Sequence, residues 1–390
     1  MAAIITFNAN SQKRGAGYFS ELLSSELLQD ICRLVTGQNN YETRIIHESY
    51  NKGRLLVIDY NGVRNYVTLS EVSNEGRNSS VQSVPTAVNI FYADPSLRKR
   101  LFFYFLPHSG NLFTDYHRVY YKLMATAGIV FLNSPEHITS YSNPDQLIYD
   151  RNENQRSNPS NNSSYITKTE NTIQIYGKVY GANKYESTLL CLALSKLTSE
   201  HIDFFNICEQ DLKVLPQSSM NTLNLLSNVS MINTSITLER RLFEDEPERD
   251  TLRSPLYSYN LLQRIGHKHC AMCDCEIDEI IQGAHVWGVS QIRRNDRMNL
   301  EEKFNHAVSG HNGLWLCQNH HKLFDSHILV IDNDGRFRVK ATLDRPDYEF
   351  IRDITKRESL ANELLSDDFR QYLHFRNSGV HFENTIAFAG

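Results

Sequence analysis

The chain has 390 residues, 41% hydrophobic and 22% charged, a balance that buries sizeable cores and excludes global disorder. Its net charge of −5 and pI near 6.3 give no bulk support for nucleic-acid binding, so such a role needs local basic surfaces on an acidic whole. No apolar run reaches the roughly 18 residues of a membrane span, and "MAAIITFNANSQKRG" lacks the layout of a secretory signal, so a cytoplasmic protein with no membrane partner is expected.

In chain order, "GYFSELLSSELLQDICRLV" has apolar spacings of three and four and predicts a helix. "RLLVIDYNGVRNYVTL" predicts two strands around an Asn61-Gly62 hairpin turn. "AVNIFYA" and "GIVFLNS" are further strand candidates. Between them, Arg98, Lys99, Arg100, Arg118 and Lys122 interleave with aromatics, a pattern that suits either stacked bases and phosphates or an aromatic core with basic ends. "DRNENQRSNPSNNSS" (150–164) is polar, aperiodic and expected to be a linker. "NTIQIYGKVYG" then reads as a strand and "YESTLLCLALSKLTSEHI" as a helix, and "FEDEPERDTLRSP" (243–255) marks a boundary.

Chemistry concentrates after that boundary. Four of the seven cysteines and eight of the fifteen histidines fall between His267 and His327. In a reducing compartment such a cluster points to metal rather than disulfides. Cys270 and Cys273 form a Cys-x-x-Cys pair, and Cys317 and His320 form a second pair after 43 intervening residues. Two such pairs supply the four donors of a closed structural zinc site. Cys275 is the spare, expected to be a free buried thiol.

Between the pairs, "AHVWG" should be a strand that ends with His285 exposed, and "RRNDRMNLEEKFNHAVSGH" an irregular excursion. Asn312 opens "NGLWLC", and "HILVIDNDGRFRV" reads as strand, turn and strand. The order of "CAMC", "GAHV", "HNGLWLC" and "HHKLFD" over roughly residues 264–340 resembles the HNH endonuclease family with its ββα-metal site. The resemblance implies that His285 is the general base, that Asn312 braces the loop and orients it, and that His321 binds the catalytic divalent ion. Asp325, one helical turn on, matches a further ligand, so the two histidines of the doublet divide between a structural and a catalytic metal. Ala284 stands where many members carry another ligand. The ion would then be held by His321 and Asp325 with water and phosphate oxygens, which suits Mg²⁺, with Mn²⁺ as a substitute. The implied reaction is hydrolysis of a phosphodiester to a 5′ phosphate and a 3′ hydroxyl, with activity falling below the pKa of His285, normally near about 6.5.

The expected fold class is α+β and multidomain: a mixed α/β N-terminal region plus a C-terminal zinc-stapled ββα-metal (HNH) module. Residues 1–150 form a DNA-recognition or assembly region, 165–245 a second α/β segment that could belong to the same domain, and 256–390 the nuclease domain. Arg293, Arg294 and Arg297 form a basic loop that could contact DNA phosphates, whereas His267, His269, His306, His311, His327 and Trp287 read as packing or surface residues. The implied partner is double-stranded DNA, cut by a homodimeric type II restriction endonuclease. Two other readings stand beside it: a modification-dependent or signal-activated anti-phage nuclease, and a zinc-stapled DNA-binding protein whose nuclease site has decayed.

Overall fold

The computed structural model describes residues 2–8, 23–46, 55–70, 79–106, 114–157, 164–169, 171–178, 186–208, 215–245 and 254–388. In chain order the elements begin β1 (Ala3–Asn8), α1 (Ser25–Thr36), β2 (Tyr41–Ile46), β3 (Leu55–Tyr60), β4 (Val63–Ser70), α2 (Ser79–Ala93), β5 (Lys99–Phe105), α3 (Asp115–Thr126), β6 (Val130–Phe131) and α4 (Pro144–Ser157). Then come β7 (Ser164–Thr169), β8 (Thr172–Lys178), α5 (Glu186–Leu197), β9 (His201–Cys208), α6 (Gln217–Leu223) and β10 (Val229–Ser235). The chain divides into two compact units, the first made of Met1–Ser164, Lys178–Phe204 and Lys213–Met231, the second of Tyr165–Gly177, Phe205–Leu212 and Ile232–Gly390.

The first unit holds a six-stranded mixed sheet of order β2-β1-β3-β4-β5-β6. The β3–β4 hairpin turns at Asn61 and Gly62, both with positive φ (47° and 71°), as a two-residue turn requires. The predicted first helix is α1. Ser24 caps its start by accepting a hydrogen bond from the Leu27 amide, and Gly37 ends it in the left-handed region; residues 17–22 of the predicted stretch lie outside the described residues. "AVNIFYA" is not a strand but the end of α2. A short apolar run fits either element, and the helix is the one that buries Val84, Ala87 and Val88 together.

The basic and aromatic stretch builds core here. Phe103, Phe105 and Tyr121 pack edge to face or tilted, all nearly inaccessible, while Lys99 donates to the Phe91 carbonyl (2.7 Å), Lys122 pairs with Asp150 (3.4 Å) and Arg118 with Glu136 (3.3 Å). The expected linker begins as the last two turns of α4. Its polar face is held in place by a buried Arg151–Glu186 ion pair at 2.7 Å; 158–163 lie outside the described residues. That charge pair adds to the short apolar contact of Leu147 and Ile148, both buried.

The second unit continues with α7 (Ile236–Asp245), α8 (Pro255–Ile265), β11 (Ile281–His285), α9 (Val289–Arg293), α10 (Leu300–Val308), β12 (Gly313–Cys317) and α11 (Gln318–Asp325). It closes with β13 (Leu329–Ile331), β14 (Phe337–Lys340), α12 (Arg345–Ile354), α13 (Asp367–Asn377) and β15 (Thr385–Ala387). Of the expected boundary stretch, 246–253 lie outside the described residues. β11 and β12 pair antiparallel with His285 opposite Gly313 and Ile281 opposite Cys317. All five residues of β12 are buried, and Leu314, Trp315, Leu316 and Phe324 of α11 share one core. Each such side chain contributes about 1.5–3 kcal/mol by leaving water. The excursion expected to be irregular contains α10. Its start is a capping box in which the Asn299 side chain accepts from the Glu302 amide (2.9 Å) and the Glu302 carboxylate from the Asn299 amide (2.8 Å). That Asn-x-x-Glu signal was present in the sequence.

Candidate active site and metal centre

Two close approaches to glycine set the hairpin against α8. A Cβ on Gly313 would lie 2.2 Å from the Tyr257 hydroxyl, and one on Gly310 would lie 2.3 Å from the Asn260 carbonyl oxygen. Arg264 of α8 secures the contact by donating to the Gly310 (3.0 Å) and Gly313 (2.9 Å) carbonyls. α8 therefore forms the floor on which the functional residues stand.

The two Cys and Cys/His pairs converge. The ligand atoms of Cys270, Cys273, Cys317 and His320 all lie within 4.8 Å of one another. Cys270 Sγ is 3.5 Å and Cys317 Sγ 3.1 Å from His320 Nδ1, and the Cys273 and Cys317 sulfurs are 3.9 Å apart. Bonds of about 2.3 Å to sulfur and 2.0 Å to nitrogen put tetrahedral ligand atoms about 3.5–3.8 Å apart, so this group could hold zinc. Hydrogen bonding from Cys317, and then from His320, pushes the Cys270 thiol down and the shared proton onto Cys317, so a thiolate is favoured within the cluster. The Cys275 sulfur stands outside the group and is only half-buried, while its carbonyl accepts from the Cys270 amide (2.9 Å) and closes the knuckle.

The supports of this cluster lie far along the chain. His320 is 1% exposed, and its Nε2 contacts Thr355 Oγ1 at 3.1 Å; that hydroxyl donates to the Ile351 carbonyl (2.7 Å), so it accepts from Nε2–H and leaves the Nδ1 lone pair aimed at the sulfurs. Arg357 donates to the carbonyls of Cys270 (2.7 Å) and Cys273 (2.6 Å). Nothing in the sequence spacing pointed to Thr355 or Arg357, because each acts across 35 or more residues.

His285 ends β11. Sequence reading placed it exposed; it is half-buried, with the Tyr257 ring stacked on it at 4.0 Å and 14°. Its Nε2 lies 2.9 Å from the Ala307 carbonyl, which only accepts, so Nε2 carries the ring proton and Nδ1 keeps a lone pair. Burial pushes its pKa down to about 4, against a smaller upward pull from that carbonyl. The neutral form therefore persists well below the expected value near about 6.5. Asn312, fully buried, accepts from the Trp287 amide (2.7 Å) and donates to the carbonyls of Trp287 (3.0 Å) and His306 (3.1 Å). It ties the segment after His285 to the end of α10.

His321, next to the buried His320, faces the other way and is half-buried. Its Nε2 is 3.3 Å from Asp325 Oδ2, one turn along α11. His285, His321 and Asp325 all line one cleft of about 960 Å³, together with Tyr257 and Arg376. Arg376 of α13 is 6% exposed, stacks on the Phe324 ring at 3.6 Å and donates to the carbonyls of Val286 (3.0 Å) and Phe324. It thus joins the end of β11 to the end of α11. Ala284 is fully buried and offers no ligand.

The three loop arginines take other positions. Arg293 packs over the Phe243 ring at 4.2 Å, Arg294 and Arg297 are exposed, and none of them lines the cleft. Trp287 is buried, His306 contacts the Tyr372 hydroxyl (3.0 Å), and His311 contacts Ser366 (3.1 Å). Among the described residues no helix is long and apolar enough to cross a membrane.

No curated protein matches the chain. Residues 270–332, from the first cysteine of the cluster to the strand after α11, match the HNH endonuclease family, so the second unit carries an HNH endonuclease domain that includes a Cys₃His group that could hold zinc.

Proposed function

We propose that the chain is a site-specific DNA endonuclease of the type II restriction kind, acting on duplex DNA as a symmetric dimer with one active site per strand. The observation that carries this reading is the meeting of His285, His321 and Asp325 in one cleft, on a hairpin and helix joined by the Cys₃His cluster. His285 is the general base: its free Nδ1 takes the proton of the attacking water, while the Ala307 carbonyl holds the ring in that tautomer. Tyr257 limits how far the base can turn, and Asn312 holds the segment that follows it. His321 and Asp325 offer one nitrogen and one carboxylate at the open side of the cleft, a donor set that fits a hard divalent ion such as Mg²⁺ or, in its place, Mn²⁺. Such an ion, when bound, supplies positive charge to the scissile phosphate and the departing 3′ oxygen. Loss of that oxygen leaves a 5′ phosphate and a 3′ hydroxyl. Cys270, Cys273, Cys317 and His320 hold zinc as a structural element, with all four positions of the ion filled by protein.

Incubation with plasmid DNA and Mg²⁺, followed by mapping of fragment ends, tests the reading. Discrete fragments with 5′ phosphates support it. Cutting only of modified DNA, or only after an added signal, moves the protein to the modification-dependent or signal-activated nucleases. No cutting at all, with DNA still bound, leaves a zinc-stapled DNA-binding protein.

A further inference from the structure

The cleft extends beyond the residues matched to the nuclease family. Part of its wall is one face of β7, β8 and β9, which precede the matched segment. Alternation along the strands puts Thr167 and Thr169 of β7 on this face, and Gln174 and Tyr176 of β8; Ile173 and Ile175, both 0% exposed, point the other way. Phe205 of β9 stacks on Tyr176 with centroids 5.0 Å apart and planes within 12°. Tyr176 is 6% exposed and Phe205 half-buried, so Phe205 is the outer ring of the pair. The Tyr176 hydroxyl donates to Gln174 Oε1 (3.0 Å), which fixes the amide and leaves its NH₂ free to donate.

The wall is fastened to the nuclease hairpin. Asp278, three residues before β11, accepts from Thr167 Oγ1 (3.3 Å) and the Lys168 amide (3.2 Å). Lys268 donates to the carbonyls of Lys168 (2.8 Å) and Asp278 (3.2 Å), so two of its three donors are already taken. What remains facing the cleft is an aromatic ring, a fixed amide and threonine hydroxyls whose protons are already donated to Asp278 and the Thr172 carbonyl, leaving oxygens that accept. This is poor chemistry for gripping a phosphate, which calls for arginine or free lysine, and good chemistry for a base, which has a flat face to stack and an edge to bond.

We infer that this wall is a nucleobase subsite that receives the base next to the scissile phosphate, with Phe205 stacking on its face and Gln174 bonding its edge. The inference rests on the nuclease reading above, and continuity of the wall with His285 and His321 in a single cleft is what selects a flanking nucleotide as the occupant.

The test is cleavage of a duplex library randomised around the cut, with the product ends sequenced, for the wild-type chain, Gln174→Ala and Phe205→Leu. Both variants are first checked for unchanged zinc content and melting temperature. Gln174→Ala is expected to flatten the base preference at one position beside the cut and to raise KM about tenfold while kcat moves far less. Phe205→Leu, which keeps an apolar side chain on the sheet, is expected to raise KM by a similar factor without changing which base is preferred. If the wild type cuts and both variants keep its end sequences and its KM, the subsite is overturned and the nuclease reading stands. If the wild type cuts no DNA, the nuclease reading falls and takes the subsite with it.

Discussion

Neighbouring residues of one helix sit in two different surroundings. His320 is 1% exposed, its Nδ1 lies among three sulfurs and its Nε2 is bound to Thr355, so every polar atom is committed. His321 is half-buried, meets the exposed carboxylate of Asp325 and opens on a cleft that also holds His285. A 100° rotation per residue along α11 separates them, so a closed site and an open one share a backbone without sharing a face. On the proposed function, rigidity and reactivity are divided between the two faces: the cluster would fix α11 against the knuckle, and the fixed helix would hold His321 at a set place relative to His285.

That division can be broken from either side. The largest effect is expected at the closed site. Elemental analysis should find zinc in the wild type and none in Cys317→Ala, whose melting temperature should fall by on the order of 10 °C, because metal binding to a cluster absent from the unfolded chain is folding free energy. Retention of bound zinc and unchanged melting would show that the cluster is not the scaffold. At the open site, His285→Ala should cut kcat by about 10²–10⁴-fold with zinc content and melting unchanged, as measured on plasmid DNA. Normal cutting by that variant would remove His285 from the reaction.

Smaller effects sharpen the boundary between the two sites. Thr355→Val removes the acceptor for His320 Nε2–H and should weaken zinc about 10–100-fold in a chelator competition, with kcat of the zinc-loaded protein little changed. Tyr257→Leu should lower kcat about tenfold at constant KM by freeing the His285 ring. Tyr257→Phe should stay within about twofold of wild type, since the Tyr257 hydroxyl makes no hydrogen bond among the described residues. The pH profile should move least. A His285 base would work neutral, and its pKa in the fold is pushed down to about 4, so the rate should hold as pH falls through about 6.5 and drop only nearer 4. Over the same window the unfolded chain binds a proton at this residue before the folded one does, so stability declines there, and acid unfolding curves should be shallower for His285→Gln.

The sequence by itself determined the four residues of the Cys₃His group and the i,i+4 pair on the helix that carries the doublet, because these depend on local spacing: Cys-x-x-Cys, Cys-x-x-His and the pair of His321 and Asp325 are geometry written within one turn. It also holds the capping box of α10, a local signal set within a polar composition. Only the tertiary structure decided that "AVNIFYA" is helical, that α4 is kept by a buried ion pair, and that Tyr257, Thr355, Arg357 and Arg376 complete the two sites. Their partners lie 28 to 90 residues away, and no periodicity carries information over that distance. Such contacts arise when buried polar groups must find hydrogen-bond partners wherever the packed chain supplies them.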